Sequence, residues 1–239
     1  VVGSGTAGTC AALRAAEEGL SVVCLEKNSS LGGTSVFAEG LCGIGSSYQA
    51  EQGIQVDKAA VLADTMSYHH FACLGPVVHA FLDNCGATID WLQGQGVTWA
   101  SVVALGDSYP VWHLPADETG APTHMQAVLE ILQRKAEAAG VEFRTSAAMT
   151  DLAVSDGAAT GVYLGSGNAE TLIEASAVIL ASGGYANNAE LFEKFTGRPY
   201  DSVHVWGMTG RDGDGISAAT GTANAGTHIP SAVMYHTGR

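Results

Sequence analysis

The stretch Val1-Val2-Gly3-Ser4-Gly5-Thr6-Ala7-Gly8-Thr9-Cys10-Ala11-Ala12-Leu13 decides the fold, together with Ser21-Val22-Val23-Cys24-Leu25-Glu26-Lys27 just after it. Val1-Val2 read as the end of a strand and Gly3 to Gly8 as a tight turn. Thr9 to Glu18 is an Ala-rich helix, with Gly19 placed as its stop. Ser21 to Leu25 is a short apolar run of the kind found in a buried parallel strand, and Glu26 closes it. Strand, glycine turn, helix and strand in this order predict one βαβ unit.

The spacing Gly3-x-Gly5-x-x-Gly8 gains its meaning from that context. Gly3 permits the tight turn, Gly5 lets backbone approach a pyrophosphate, and Gly8 lets the helix pack on the sheet. Thr6 and Ala7 open the helix, whose first N–H groups and positive dipole end suit an anion. Glu26 stands at the end of the second strand, where its carboxylate can accept both hydroxyls of an adenosine ribose. A glycine-rich corner with no ligand is the competing reading. The motif does not separate FAD from NAD, because both carry ADP.

Composition narrows the class. Gly supplies 31 of 239 residues, roughly twice ordinary usage, hydrophobic residues make up 46% and charged residues only 14%. Disorder is excluded by that apolar content, collagen by the lack of a Gly-X-Y period, and a coiled coil by the lack of charged heptads. The net charge of −14 argues against nucleic acid and anionic membrane surfaces as partners. The five cysteines, Cys10, Cys24, Cys42, Cys73 and Cys85, form no CxxC pair and read as reduced, buried thiols. No apolar run is long enough for a transmembrane segment, and no signal peptide is visible, the chain starting in mid-strand.

Further along, residues 28–53 carry six glycines and little periodicity, a long irregular stretch of the functional kind. Helices are expected at Asp57–His70, Pro76–Gln93 and Thr123–Ala139, with a strand near Val97–Val103 inside an otherwise loop-like Gly94–Pro122. Val141–Thr145 is a strand. From about residue 148 to 180 the punctuation at Asp156-Gly157 and Gly165-Ser166-Gly167 predicts a β-meander, ending in the apolar strand Ala175–Leu180. Helices follow at Asn188–Thr196 and Ile216–Ala223, on either side of the glycine-rich Gly207–Gly215. No linker breaks the chain, so residues 1–239 are expected to be one domain.

The segment after Glu26-Lys27 favours FAD. Leu31-Gly32-Gly33-Thr34-Ser35 and Ala38-Glu39-Gly40 place small residues and hydroxyls where an NAD dehydrogenase would continue with further βα units. With these blocks, Val178-Ile179-Leu180-Ala181-Ser182-Gly183-Gly184 and Gly213-Asp214-Gly215-Ile216, the sequence resembles the flavoproteins of the fumarate reductase/succinate dehydrogenase family, especially the soluble flavocytochrome-type fumarate reductases. The resemblance spans nearly the whole chain. It implies an α/β, Rossmann-like three-layer FAD-binding fold, a parallel sheet with helices and a β-meander. It also implies roles. Gly33, Thr34 and Ser35 would contact the pyrophosphate and ribityl region, and Ala38, Glu39 and Gly40 would belong to the block beside the isoalloxazine. The backbone at Ala147-Ala148 would meet the adenine, Ala181, Ser182 and Gly183 would pass the pyrophosphate and ADP ribose, and Asp214 would sit near the flavin end. Gly32 and Lys27 belong to the same cofactor-binding blocks. Thr34 stands where the membrane-bound relatives carry the His that bonds to FAD, so the cofactor is expected to be noncovalent. Leu41 replaces a frequent second glycine and would narrow the space over the ring.

Of the eight histidines, His69, His70 and His79 read as surface or packing residues, His124 as part of a helix start, and His204 and His228 carry no motif. His113, in Trp112-His113-Leu114-Pro115, is a secondary site candidate. His236, in Val233-Met234-Tyr235-His236, is the stronger one. In the resembling reductases a His near this point binds a substrate carboxylate. The family's capping domain, with its proton-donating Arg, and the return to the flavin are not in this sequence, so a fragment truncated at both ends is expected. The function expected is FAD-dependent oxidoreduction, the parent reducing the C=C bond of a fumarate-like unsaturated acid. The alternatives are a dehydrogenase or oxidase resembling the ketosteroid dehydrogenases or aspartate oxidase, and a nucleotide-binding module without turnover. A plain NAD dehydrogenase is the weakest of the readings. Substrate, electron donor and compartment, cytoplasmic or exported, stay open.

Overall fold

The computed structural model describes residues 1–166, 169–205 and 210–225. They gather into two compact units. The first holds Val1–Val36, Leu129–Lys194 and the described residues from Arg198 onward, and the second holds Phe37–Val128 with Phe195–Gly197.

In the first unit, helix α1 (Thr6–Glu17) joins Val2 to strand β1 (Val23–Leu25), as the glycine turn requires. Val2 makes parallel bridges to Leu25 on one side and to Leu180 on the other. Strand β1 pairs in parallel with β5 (Glu142–Arg144), in the register Val23 to Glu142 and Leu25 to Arg144. The parallel layer therefore runs from the Leu180 segment through Val2 and β1 to β5. The expected strand Ala175–Leu180 is reduced to that bridge, held by Val2 N–H donating to Ile179 O at 2.9 Å and Ala181 N–H donating to Val2 O at 2.8 Å.

Helix α5 (Met125–Ala138) enters this unit at Leu129 and there buries Leu129, Leu132 and Ala136, the spacing of one helix face. The meander forms as expected from β6 (Met149–Ser155), β7 (Ala158–Ser166) and β8 (Ala169–Glu174), all antiparallel. Asp156 and Gly157 both have positive φ, 51° and 78°, the primed turn that matches strand twist. Met149, Leu152 and Val162 pack with Val2, Leu25 and Ala218 into one apolar core. Helices α6 (Ala189–Thr196) and α7 (Asp214–Gly221) follow.

The second unit contains α2 (Ser47–Glu51), α3 (Lys58–Tyr68), α4 (Gly75–Gly94) and an antiparallel sheet. Its strands β2 (Leu41–Cys42), β3 (Trp99–Ala104) and β4 (Pro110–Pro115) lie in the order β2-β4-β3. Pro76 sits in the first turn of α4, where its missing N–H costs nothing. Helix α4 buries Leu82, Cys85, Ile89 and Leu92, and Ile44, Leu82 and Cys85 form a core with Val61, Leu62 and Val78 against them.

Three elements here differ from the sequence expectation, and β2 is one of them, lying like α2 within residues 28–53. Strand β4 was expected to be loop. Helix α2 lies in the stretch expected to be irregular, although Ser46 and Gln49 form a full capping box at its start. Among the described residues no helix is long and apolar enough to cross a membrane.

Candidate functional site

The site lies wholly in the first unit, at the carboxyl end of β1. There the glycine turn, Gly33–Ser35 at the start of a 3-10 turn, and the segments 181–184 and 210–214 enclose a cavity of about 280 Å³. Gly3, Gly5, Thr6, Ala7, Glu26, Lys27, Gly33, Thr34, Ser35, Ala181, Ser182, Gly183 and Asp214 all line it.

Helix α1 starts at Gly5 with no side-chain cap and no acidic residue in its first turn. Thr6 and Ala7 at its start line the cavity, and the Thr6 N–H donates to Ser35 Oγ at 3.0 Å. Gly5 keeps that approach open, since a Cβ there would stand 3.3 Å from Ser35 Oγ. Gly8 faces the protein rather than the cavity. A Cβ on it would meet Gly3 O at 1.8 Å, which explains the need for glycine at the third position.

Glu26 is buried, with 5% of its surface exposed. Its Oε2 accepts the Ser4 N–H at 3.1 Å and the Ser4 hydroxyl at 2.7 Å, while Oε1 accepts the Asn28 N–H at 2.9 Å. A carboxylate has about four acceptor positions, so one remains for a ligand hydroxyl. Ser4 Oγ in turn accepts the Gly32 N–H at 3.0 Å. Gly32 thus ties the Gly33–Ser35 loop to the glycine turn from behind the cavity.

Lys27 turns its ammonium to Asp212 Oδ2 at 2.8 Å and Asp214 Oδ2 at 2.6 Å. Burial opposes its charge, but the two hydrogen bonds and the carboxylate charges outweigh that and hold its pKa above the ordinary lysine value. Ser182 Oγ accepts the Gly215 N–H at 3.1 Å, which ties the start of α7 to the segment after Leu180.

Ala148 itself is not in the lining, but its neighbours Ala147 and Met149 are. Ala38, Glu39 and Gly40 belong to the second unit. There Gly40 is pressed against β4, where a Cβ would stand 2.5 Å from His113 O. His113 is fully buried in that unit, its Nε2 at 2.8 Å from Ser46 Oγ, so it serves the core. Burial lowers its pKa, against the raising influence of backbone groups of Val111 and Leu41 and of the Asp90 charge. His236 lies outside the described residues.

Sequence reasoning passed over Ser4, Asn28 and Arg211, which also line the cavity, as does Gly184 of the Ala181–Gly184 block. Ser4 occupies a free position of the glycine motif and carried no signal of its own. Arg211 lay in a stretch noted only for its glycines. Among the described residues no group of three or more His, Cys, Asp or Glu is placed to hold a metal ion.

A family model described as FAD binding domain matches residues 1–236. The chain belongs to that family. This FAD-binding domain is 38% identical over 218 residues to the vinyl phenol reductase of Lactiplantibacillus plantarum, covering 90% of this chain and 43% of that protein. It is 26% identical over 240 residues to the NADH:fumarate oxidoreductase of Klebsiella pneumoniae, covering 99% of this chain and 25% of that one. The domain thus spans less than half the length of these relatives. The solved open conformation of a flavocytochrome c3 fumarate reductase shares the fold, with a TM-score of 0.79, 23% identity and coverage of 92% of this chain and 39% of that one.

The residues of the cavity fit the ADP half of FAD. A helix start with no acidic residue in its first turn, lining the cavity at Thr6 and Ala7, suits the pyrophosphate, and a buried carboxylate with a spare acceptor position suits the ribose. Gly33, Gly183 and Gly184 would each carry a Cβ into open space, so no side chain fills the cradle.

Proposed function

We propose that the protein carrying this domain is an FAD-dependent oxidoreductase that reduces the C=C bond of a fumarate-like unsaturated acid. The observation that carries the reading is one cavity in which the α1 N-terminus and the Glu26 carboxylate meet the Gly33–Ser35 and Ala181–Gly183 backbones, in a chain matched by the FAD family over residues 1–236.

When bound, FAD supplies the hydride that such a reduction needs. The chain's own residues bind and orient. The start of α1 at Thr6 and Ala7 lies against the pyrophosphate, and the spare acceptor position of Glu26 takes one adenosine ribose hydroxyl, not both. Ala147 to Met149 flank the adenine, and Thr34 and Ser35 face the ribityl chain. Ala38, Glu39 and Gly40 form the backbone block beside the ring, and Asp214, paired with Lys27, belongs to the ADP cavity rather than the flavin end expected of it. His236 binds a substrate carboxylate. Thr34 offers no imidazole, so FAD is held without a covalent bond.

The substrate is a small molecule. A second reading, a vinyl phenol as substrate, draws on the 38% identical relative.

The test is anaerobic. The intact protein should be yellow, bleach with dithionite, and regain its colour on addition of an enoate such as fumarate or urocanate. Recovery only with 4-vinylphenol favours the second reading. No recovery with any alkene, but bleaching by a saturated ketosteroid or by aspartate, overturns the reductase direction.

A further inference from the structure

The segment 210–215 reaches the cavity from far along the chain and is fastened on two sides. On one side it is bonded to residues 184–188: Asn187 N–H donates to Arg211 O at 2.9 Å, Asn188 Nδ2 to Asp212 O at 3.0 Å and Gly213 N–H to Gly184 O at 3.1 Å. Toward the end of β1 the fastening is Lys27, whose ammonium bridges Asp212 and Asp214 across 185 and 187 sequence positions. The Lys27 stem lies over Gly210, where a Cβ would stand 3.2 Å from Lys27 Cε. The Lys27 side chain is 23% exposed, against 46% for Asp212 and 34% for Asp214.

One ammonium between two carboxylates leaves a net negative cluster. Lys27 is therefore not a free cation waiting for a phosphate. Without it the two carboxylates would repel each other at the edge of the cavity.

We propose that Lys27 is a positioning residue that latches the 210–214 segment across the cofactor cavity and thereby sets how slowly FAD leaves. The latch rests on the FAD reading above. It gives Lys27 a role through Asp212 and Asp214 rather than through direct contact with the cofactor, and it brings in Asp212, which no sequence signal marked.

The experiment follows FAD release from the intact holoprotein by the rise of flavin fluorescence after dilution, with a phosphodiesterase present that cleaves released FAD to FMN and AMP and so prevents rebinding. Lys27→Met should release FAD about tenfold faster, the scale a partly exposed three-membered ion-pair network can supply. Lys27→Arg should stay near wild type. Lys27→Met combined with Asp212→Asn should recover part of the loss, because the carboxylates no longer oppose each other. Release from the wild type should quicken with salt, and that dependence should flatten in Lys27→Met. Should Lys27→Met not fold, the salt series on the wild type and the Lys27→Arg rate still decide.

A Lys27→Met rate within twofold of wild type at unchanged circular dichroism overturns the latch, as does a Lys27→Arg rate well above wild type or salt-insensitive wild-type release. Wild-type protein that never retains FAD removes the FAD reading and the latch together. Retained FAD with an unaffected Lys27→Met variant removes the latch alone.

Discussion

The Ser4 hydroxyl donates to Glu26 Oε2 at 2.7 Å while its oxygen accepts the Gly32 N–H at 3.0 Å. A residue at a free position of the glycine motif thus orients the ribose acid and anchors the loop behind it. Ser4→Ala should strip a buried carboxylate of a partner and destabilise the protein by about 1–3 kcal/mol. Urea denaturation of the apo-protein measures that, and FAD titration should show weaker binding in the same variant.

Glycines of the site should differ sharply in tolerance. Gly8→Ala drives a methyl to within 1.8 Å of the Gly3 carbonyl oxygen, a backbone clash with nowhere to relax. It should cost more than about 3 kcal/mol and abolish soluble, FAD-loaded protein. Gly183→Ala meets nothing within 4 Å and carries only the penalty of its φ of +81°, about 1–2 kcal/mol. Soluble yield and thermal melting separate the two.

Stability should depend on pH through His113. Its folded pKa lies below the ordinary 6.5 because burial disfavours the charged ring. The unfolded chain therefore takes up the proton first. The His113 contribution is fully present above 6.5 and is lost as pH falls from there through the lower folded value. Urea midpoints measured from pH 7.5 down to 5 should decline, and His113→Gln should flatten that part of the curve.

Burial pushes the Cys10, Cys24 and Cys42 thiols up to about 11. At pH 8 roughly one in a thousand of each is thiolate. Iodoacetamide should leave these three unlabelled in the native protein and label them fully in urea, as read by peptide mass spectrometry.

Noncovalent attachment makes a simple forecast. Acid precipitation of the yellow holoprotein should leave all of the flavin in the supernatant. Colour kept in the pellet would contradict the role given to Thr34.

What the sequence disclosed and what it hid follow from range. The glycine turn, Glu26 and the Asp156-Gly157 turn announce themselves within a few residues, because each answers a local steric demand. So does the helix stop at Gly19, whose φ is +81°. The capping box of Ser46 and Gln49 was equally local, but the surrounding glycines masked it. Strand β4 was hidden by the prolines at its two ends, Pro110 and Pro115. Its pairing partners are Trp99 to Ala104 and Leu41-Cys42, and no local pattern reports such pairing. The bridge from Lys27 to Asp212 and Asp214 is less legible still, because nothing near Lys27 in sequence indicates a partner 185 positions away.

Val2 sits between Leu25 and Leu180 in the parallel layer. In synthesis Val2 precedes Leu180, one of its two neighbours, by nearly 180 residues. At usual translation speeds that wait is roughly ten to forty seconds. During it the edge of Val2 that will meet Leu180 is unpaired, while the βαβ corner beside it can already be complete. The wall at Ala181–Gly183 is thus added only once that segment is made, and the 210–214 segment later still, so nascent chains halted before Leu180 should hold the glycine turn without the wall it faces.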